Sequence, residues 1–188
     1  MFDEFDSRLA QAVEEAGFKQ ATEVQIATFD AALSGEDVFV SAETGSGKTA
    51  AYLLPIFEHL LQQERHHEIQ ALVLVPTREL AQQVLKQAKT LARLTPITLG
   101  HIGGGTDIKK QTQLVEEPAN FIVATPGRLL ELMARDLIDL EFVQILVLDE
   151  ADRLLDMGFS EDILAIASHC EQRSQTQFFS ATFLNISN

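Results

Sequence analysis

A chain of 188 residues with 46% hydrophobic side chains has the size of one globular domain and can bury a core without covalent staples. Its single cysteine, Cys170, excludes an internal disulfide, and apolar runs such as 71–75 and 145–148 fall far short of the roughly 20 residues of a membrane-spanning helix. The formal charge of −14 works against long-range attraction to nucleic acid, but it leaves room for a local anion site made of backbone N–H groups and a few placed cations.

Residues 1–6 lack a basic stretch followed by an apolar core, so no secretory leader is expected, and the chain reads as a soluble cytoplasmic monomer. In chain order, helical periodicity covers 7–16 and 23–33, and a β-rich run follows at 37–42. Helix 48–63, strand 70–75, helix 77–94, strand 98–102, helix 106–115 and strand 121–124 come next. Helix 126–135, strand 144–148, helix 160–169 and strand 177–180 complete the chain. Short β-rich runs separated by longer amphipathic stretches predict an α/β fold, a mostly parallel central sheet with helices on both faces. Phe39, Phe121, Phe178 and Phe179 fall in strand runs and are assigned to the core. The polar stretch 62–68 holds the neighbours His66 and His67. It reads as a solvated loop, because no Cys or carboxylate set stands at ligand spacing. Cys170, beside His169, reads as an inert, partly buried thiol.

The richest segment is Ala42-Glu43-Thr44-Gly45-Ser46-Gly47-Lys48-Thr49, between a predicted strand and a predicted helix. It fits the phosphate-loop pattern except that Ala42 stands where the first glycine is usual. Glycines let the backbone curl so that successive N–H groups and the following helix N-terminus converge on an anion. In that geometry Lys48 reaches the β- and γ-phosphates of a nucleotide and the Thr49 hydroxyl joins a Mg²⁺ shell. Such a site needs an acidic element at the end of another buried strand. Asp149 and Glu150, after Ile145-Leu146-Val147-Leu148, supply it, with Asp149 toward the metal and Glu150 toward an attacking water. Taken singly, these segments also read as a glycine-rich turn and as an acid-decorated helix start.

Asp149-Glu150-Ala151-Asp152 spells the acidic signature of the DEAD-box RNA helicases, and stretches along nearly the whole chain resemble that family in the same order. The resemblance implies a RecA-like ATP-binding domain over 1–188, with a Q-motif region at 1–34 and a P-loop core at 35–188. It also implies ATP and Mg²⁺ as cofactors, RNA as partner, and a second RecA-like domain in cis carrying the arginine fingers. In the Q motif, 17–25, the resemblance assigns Gln25 to the adenine edge, with Phe18 and Thr22 beside it; Ala21 and Glu23 stand where the family usually has proline. The family stacks an upstream aromatic on adenine, yet neither Phe2 nor Phe5 sits at the usual spacing. Pro76-Thr77-Arg78, Gly104-Gly105 and Thr125-Pro126-Gly127-Arg128 are similar to the family's RNA-backbone contacts, which implies binding largely independent of RNA sequence. Ser180-Ala181-Thr182 matches its coupling motif, whose hydroxyls would meet Asp152, and 153–159 resembles the continuation after the acidic motif.

Three functional readings follow. The first is the ATP-binding half of an RNA helicase, nearly inactive alone in hydrolysis and unwinding. The second is a stand-alone nucleotide-dependent adaptor. The third, another P-loop class, finds no guanine-specificity Asn-Lys-x-Asp and no transporter Leu-Ser-Gly-Gly-Gln in the chain.

Overall fold

The computed structural model describes residues 1–64, 67–104 and 119–181. The predicted helix 106–115, Gly105, His66 and Thr182 lie outside the described residues. The strands are β1 (Val38–Ser41), β2 (Ala71–Leu74), β3 (Leu99–Ile102), β4 (Phe121–Ala124), β5 (Ile145–Asp149) and β6 (Gln175–Ser180). They form one parallel sheet in the order β1-β6-β5-β2-β4-β3. The helices are α1 (Ser7–Glu15), α2 (Glu23–Leu33), α3 (Lys48–Leu61), α4 (Arg78–Ala92), α5 (Pro126–Ala134), α6 (Ala151–Asp156) and α7 (Ser160–His169).

The side-chain period of two along a strand divides the core into two layers. Ala71, Val73, Phe121, Val123, Ile145 and Val147 face α1 to α4, where Leu9, Phe29, Leu53, Phe57, Val84 and Leu91 are buried. The alternate residues Leu72, Leu74, Ile122, Leu146 and Leu148 face α5 to α7, against Leu129, Leu132, Leu154 and Ile166. Both faces of β2, β4 and β5 are therefore buried, which is why those strands read as unbroken apolar runs. Each large side chain so enclosed contributes about 1.5–3 kcal/mol.

Local capping defines where the helices start. The Asp6 side chain accepts from the Arg8 N–H at the head of α1. Thr22 and Gln25 form a reciprocal capping box at the head of α2. That box gives α2 a defined start although Ala21 and Glu23 replace the usual prolines, and Glu23 in the first turn suits the helix dipole. Because every strand runs the same way, the C-terminal ends of all six strands lie along one edge of the sheet.

The structure departs from the predicted elements at several points. A 3-10 turn at Phe2–Glu4 and the short helix α6 were not expected, and β6 begins two residues earlier than predicted. Phe39, assigned to the core, is 45% exposed. Strand β1 lies at the sheet margin with one neighbour, and Phe39 meets Phe178 there at 5.9 Å between ring centroids. Its neighbours Val38 and Val40 turn the other way, onto the α2–α3 layer. Among the described residues, no helix is long and apolar enough to cross a membrane.

Candidate active site

The loop between β1 and α3 turns at Gly45 and Gly47, both in the left-handed region with φ of 85° and 86°. A Cβ on Gly47 would lie 2.7 Å from the Thr22 side chain and 2.8 Å from Nε2 of Gln25, so only glycine fits there. Ala42, where the pattern usually has its first glycine, is buried and donates its N–H to the Ser180 carbonyl at 2.7 Å. This bond ties the start of the loop to the end of β6. Gln25, which could have faced solvent, is instead 1% exposed. Its Nε2 donates to the Gly47 carbonyl at 3.1 Å and its Oε1 accepts from the Thr22 N–H at 3.1 Å. The N-cap of α2 thus touches the phosphate loop.

Lys48 opens α3 and its ammonium lies 2.7 Å from Oε1 of Glu150 and 3.2 Å from Oδ1 of Asp149. All three residues are buried. Burial by itself draws the Lys48 ammonium down, yet the charges of Asp149 and Glu150 outweigh it and hold its pKa above the ordinary value. Glu150 stands in the left-handed region at φ 54°, uncommon for a non-glycine residue and worth roughly 1–3 kcal/mol of strain. Its N–H donates to Oδ1 of Asp149 at 2.8 Å, and Tyr52 donates its hydroxyl to the other oxygen, Oδ2, at 2.7 Å. Burial, and then the Asp149 charge, push the Tyr52 phenol well above its ordinary pKa.

A cavity of about 340 Å³ opens in front of this cluster, lined by Thr44, Gly45, Gly47, Lys48, Thr49, Asp149 and Glu150. The residues predicted from two separate motifs thus share one concavity, joined by Leu80, Gln83 and Gln87 of α4. Sequence reading missed that contribution and that of Tyr52. Only the fold brings the α4 side chains here; the sole sequence signal for Tyr52 is a polar ring in an otherwise apolar helix stretch. The hydroxyl oxygen of Ser46 is buried with no partner among the described residues, as a group poised for an external acceptor or donor would be. The donor set also fits a hard cation: a carboxylate at Asp149 and a hydroxyl at Thr49 are oxygen ligands, and Lys48 already stands as a cation between the acids.

Ahead of the α2 cap, Phe18 is half-buried with its ring centroid 6.4 Å from Phe2. Phe5 is buried in the core, edge-on to Phe29 at 5.1 Å. Phe2, Phe18, Lys19, Ala21 and Ile26 line a cavity of about 850 Å³.

A further concavity of about 470 Å³ brings together Pro76, Arg78, Gly104, Thr125, Gly127 and Arg128, contributed by the segments after β2, β3 and β4 and by the first turns of α4 and α5. Glu131 and Phe159 complete its wall and were not singled out from sequence. Arg128 Nε lies 3.2 Å from Oε2 of Glu131, whose other oxygen is 3.3 Å from Arg135. Thr77 caps α4 by accepting from the Leu80 N–H, and Pro126 is buried at the first position of α5. Asp152 lies on α6, which packs against β6, the strand that ends at Ser180. Elsewhere, Cys170 is buried, its thiol is pushed up to about 11 by burial, and its Sγ donates to the Ile166 carbonyl, so it is an inert thiol at neutral pH.

A parallel sheet with a glycine loop after its first strand and an acidic pair after a separated strand defines a RecA-like P-loop domain. The DEAD/DEAH box helicase family model matches residues 22–188, and the chain belongs to that family. It is 44% identical over 181 residues to the ATP-dependent RNA helicase SrmB of Escherichia coli, covering 95% of this chain and 41% of that protein. Over 174 residues it is 44% identical to the DEAD-box ATP-dependent RNA helicase CshA of Streptococcus pneumoniae, covering 93% of this chain and 33% of that one. A solved structure described as a hypothetical ATP-dependent RNA helicase from Sulfolobus tokodaii superposes with a TM-score of 0.88 at 40% identity, over 96% of this chain and 52% of the other. The chain thus spans about two fifths or less of these two curated relatives.

Proposed function

We propose that this chain is the ATP-binding half of an ATP-dependent RNA helicase, holding Mg-ATP at the loop edge of the sheet and RNA backbone in the concavity beside it. The observation that carries the reading is the meeting of Lys48 with Asp149 and Glu150, at 3.2 and 2.7 Å, at the end of a glycine-turned loop. In this reading the N–H groups of 44–49 and the Lys48 ammonium take the triphosphate, and Lys48 leaves the acids to do so. Thr49 and Asp149 would hold Mg²⁺, which when bound neutralises phosphate charge as the terminal phosphoryl group departs. Glu150 orients the attacking water and accepts its proton. Gln25, Thr22 and Phe18 serve the base, and Phe2 rather than the core residue Phe5 is the aromatic available to stack on it.

Pro76, Thr77, Arg78, Gly104, Gly105, Thr125, Pro126, Gly127 and Arg128 take the RNA sugar-phosphate path. These groups offer N–H, hydroxyl and guanidinium donors rather than a code for base edges. Asp152, Ser180 and Thr182 couple the two sites. Hydrolysis and unwinding require a second RecA-like domain whose arginines complete the charge stabilisation, worth about 10³–10⁵ in rate for related enzymes. This domain alone therefore binds nucleotide and turns it over negligibly, as a cytoplasmic monomer with weak RNA affinity. Titration calorimetry of the chain with ATP and with GTP, each with and without magnesium, tests the reading. ATP binding that is tighter than GTP binding and is strengthened by magnesium is expected; tighter GTP binding overturns it.

A further inference from the structure

Tyr52 belongs to the first turns of α3 and is fully buried. Its ring meets Phe179 edge-on, with centroids 5.2 Å apart, and its hydroxyl donates to Oδ2 of Asp149 at 2.7 Å. Phenylalanine would fill the same space without desolvating a hydroxyl, so the oxygen serves its polar neighbours Asp149 and Thr49 rather than the core.

Among the described residues, three donors act on the Asp149 carboxylate. The Glu150 N–H and the Lys48 ammonium address Oδ1, at 2.8 and 3.2 Å, and Tyr52 alone addresses Oδ2. In the proposed function Lys48 swings to phosphate, which leaves one fixed donor on each oxygen. One of these is backbone, held by the strained turn at Glu150; the other is a phenol clamped in the core. Two donors on opposite oxygens fix the rotation of the carboxylate, which a single donor cannot do.

We propose that Tyr52 is a positioning residue that holds the Asp149 carboxylate in its metal-facing orientation once Lys48 has moved to the nucleotide. This inference rests on the reading of Asp149 as a magnesium-shell residue. It assigns Tyr52 no contact with the nucleotide, so its effect on ligand binding must appear in the magnesium dependence and not in the magnesium-free affinity.

The test is a thermal-shift titration of the 188-residue chain at fixed ADP with stepped magnesium, comparing the wild type with Tyr52→Phe. The magnesium concentration for half-maximal stabilisation is expected to rise about tenfold, the usual scale for losing a partner of a metal ligand. ADP affinity in EDTA should stay unchanged. Phe179→Leu, which loosens the ring but spares the hydroxyl, should lower the melting temperature and leave the magnesium midpoint in place. In an Asp149→Asn background, adding Tyr52→Phe should produce no further shift. An unmoved midpoint in Tyr52→Phe, an equal shift in Phe179→Leu, a shift persisting in the Asp149→Asn background, or a matching loss of affinity in EDTA would each overturn the assignment. If the wild type shows no magnesium-dependent stabilisation at all, the reading of the site fails with it, and that outcome is distinct from the other four.

Discussion

The Lys48 ammonium lies 2.7 Å from Oε1 of Glu150 across 102 positions of sequence, and both groups are buried. Removing one member of a buried ion pair leaves its partner uncompensated, at a cost of about 3 kcal/mol. Lys48→Ala should therefore fold and melt several degrees lower. Its nucleotide-dependent rise in melting temperature should vanish. Scanning calorimetry with and without Mg-ATP checks both statements, and an intact ligand-induced shift would remove Lys48 from the site.

Stability at high pH follows from the same cluster. Lys48 has a folded pKa above its ordinary 10.5, and Tyr52 one well above its ordinary 10.0. In both cases the folded state keeps the proton longer than the unfolded chain. The stabilisation is thus complete below the unfolded values and is lost as pH rises from about 10 through the folded ones. Denaturant midpoints measured from pH 8 upward should stay level and then fall from about pH 10. Tyr52→Phe should fall less steeply; a curve that is flat through pH 11 would contradict the linkage.

At Gly47 the requirement is steric. A methyl group would strike Thr22 and Gln25 at 2.7 and 2.8 Å, and the left-handed φ of 86° adds strain. Gly47→Ala should cost about 1–3 kcal/mol and detach the α2 cap from the loop, weakening ATP more than it weakens inorganic triphosphate. Paired binding measurements with the two ligands decide the point, and equal losses would show that Gln25 does not report to the loop through this contact.

Glu150→Gln keeps the shape of the side chain but removes the carboxylate proposed to act as the base. In a two-domain relative carrying this domain, ATP binding should persist and steady-state hydrolysis should fall by about 10²–10⁴. Turnover close to the parent rate would assign the proton to another group.

Arg128 and Glu131 form an ion pair inside the proposed RNA concavity. An RNA phosphate must compete with that carboxylate for the guanidinium. Glu131→Gln should tighten binding of single-stranded RNA several-fold at low salt, whereas Arg128→Ala should weaken it and lower the log–log salt slope by about 1. Fluorescence anisotropy over a salt series measures both, and parallel effects of the two substitutions would place the RNA elsewhere.

Much of the fold was legible from residue order. The runs 71–75, 121–124 and 145–148 announced strands buried on both faces, and the extents of α2 and α7 match the predicted spans. Hydrophobic periodicity and caps are local, so they survive without knowledge of the partner strand. The glycines at 45 and 47, just before Lys48, likewise declared a tight left-handed turn ahead of a helix, because that backbone curl is a property of the short segment. What residue order could not declare depended on distance through space. The sheet order brings the end of β5 to the Lys48 side chain and the Tyr52 hydroxyl, and sends Gln83 and Gln87 of α4 to the same cavity. The marginal place of β1 left Phe39 exposed although its strand pattern looked like core. Local sequence sets which side of a strand or helix a residue occupies. Only the packed sheet decides which other side chain waits there, and at this site that second fact carries the chemistry.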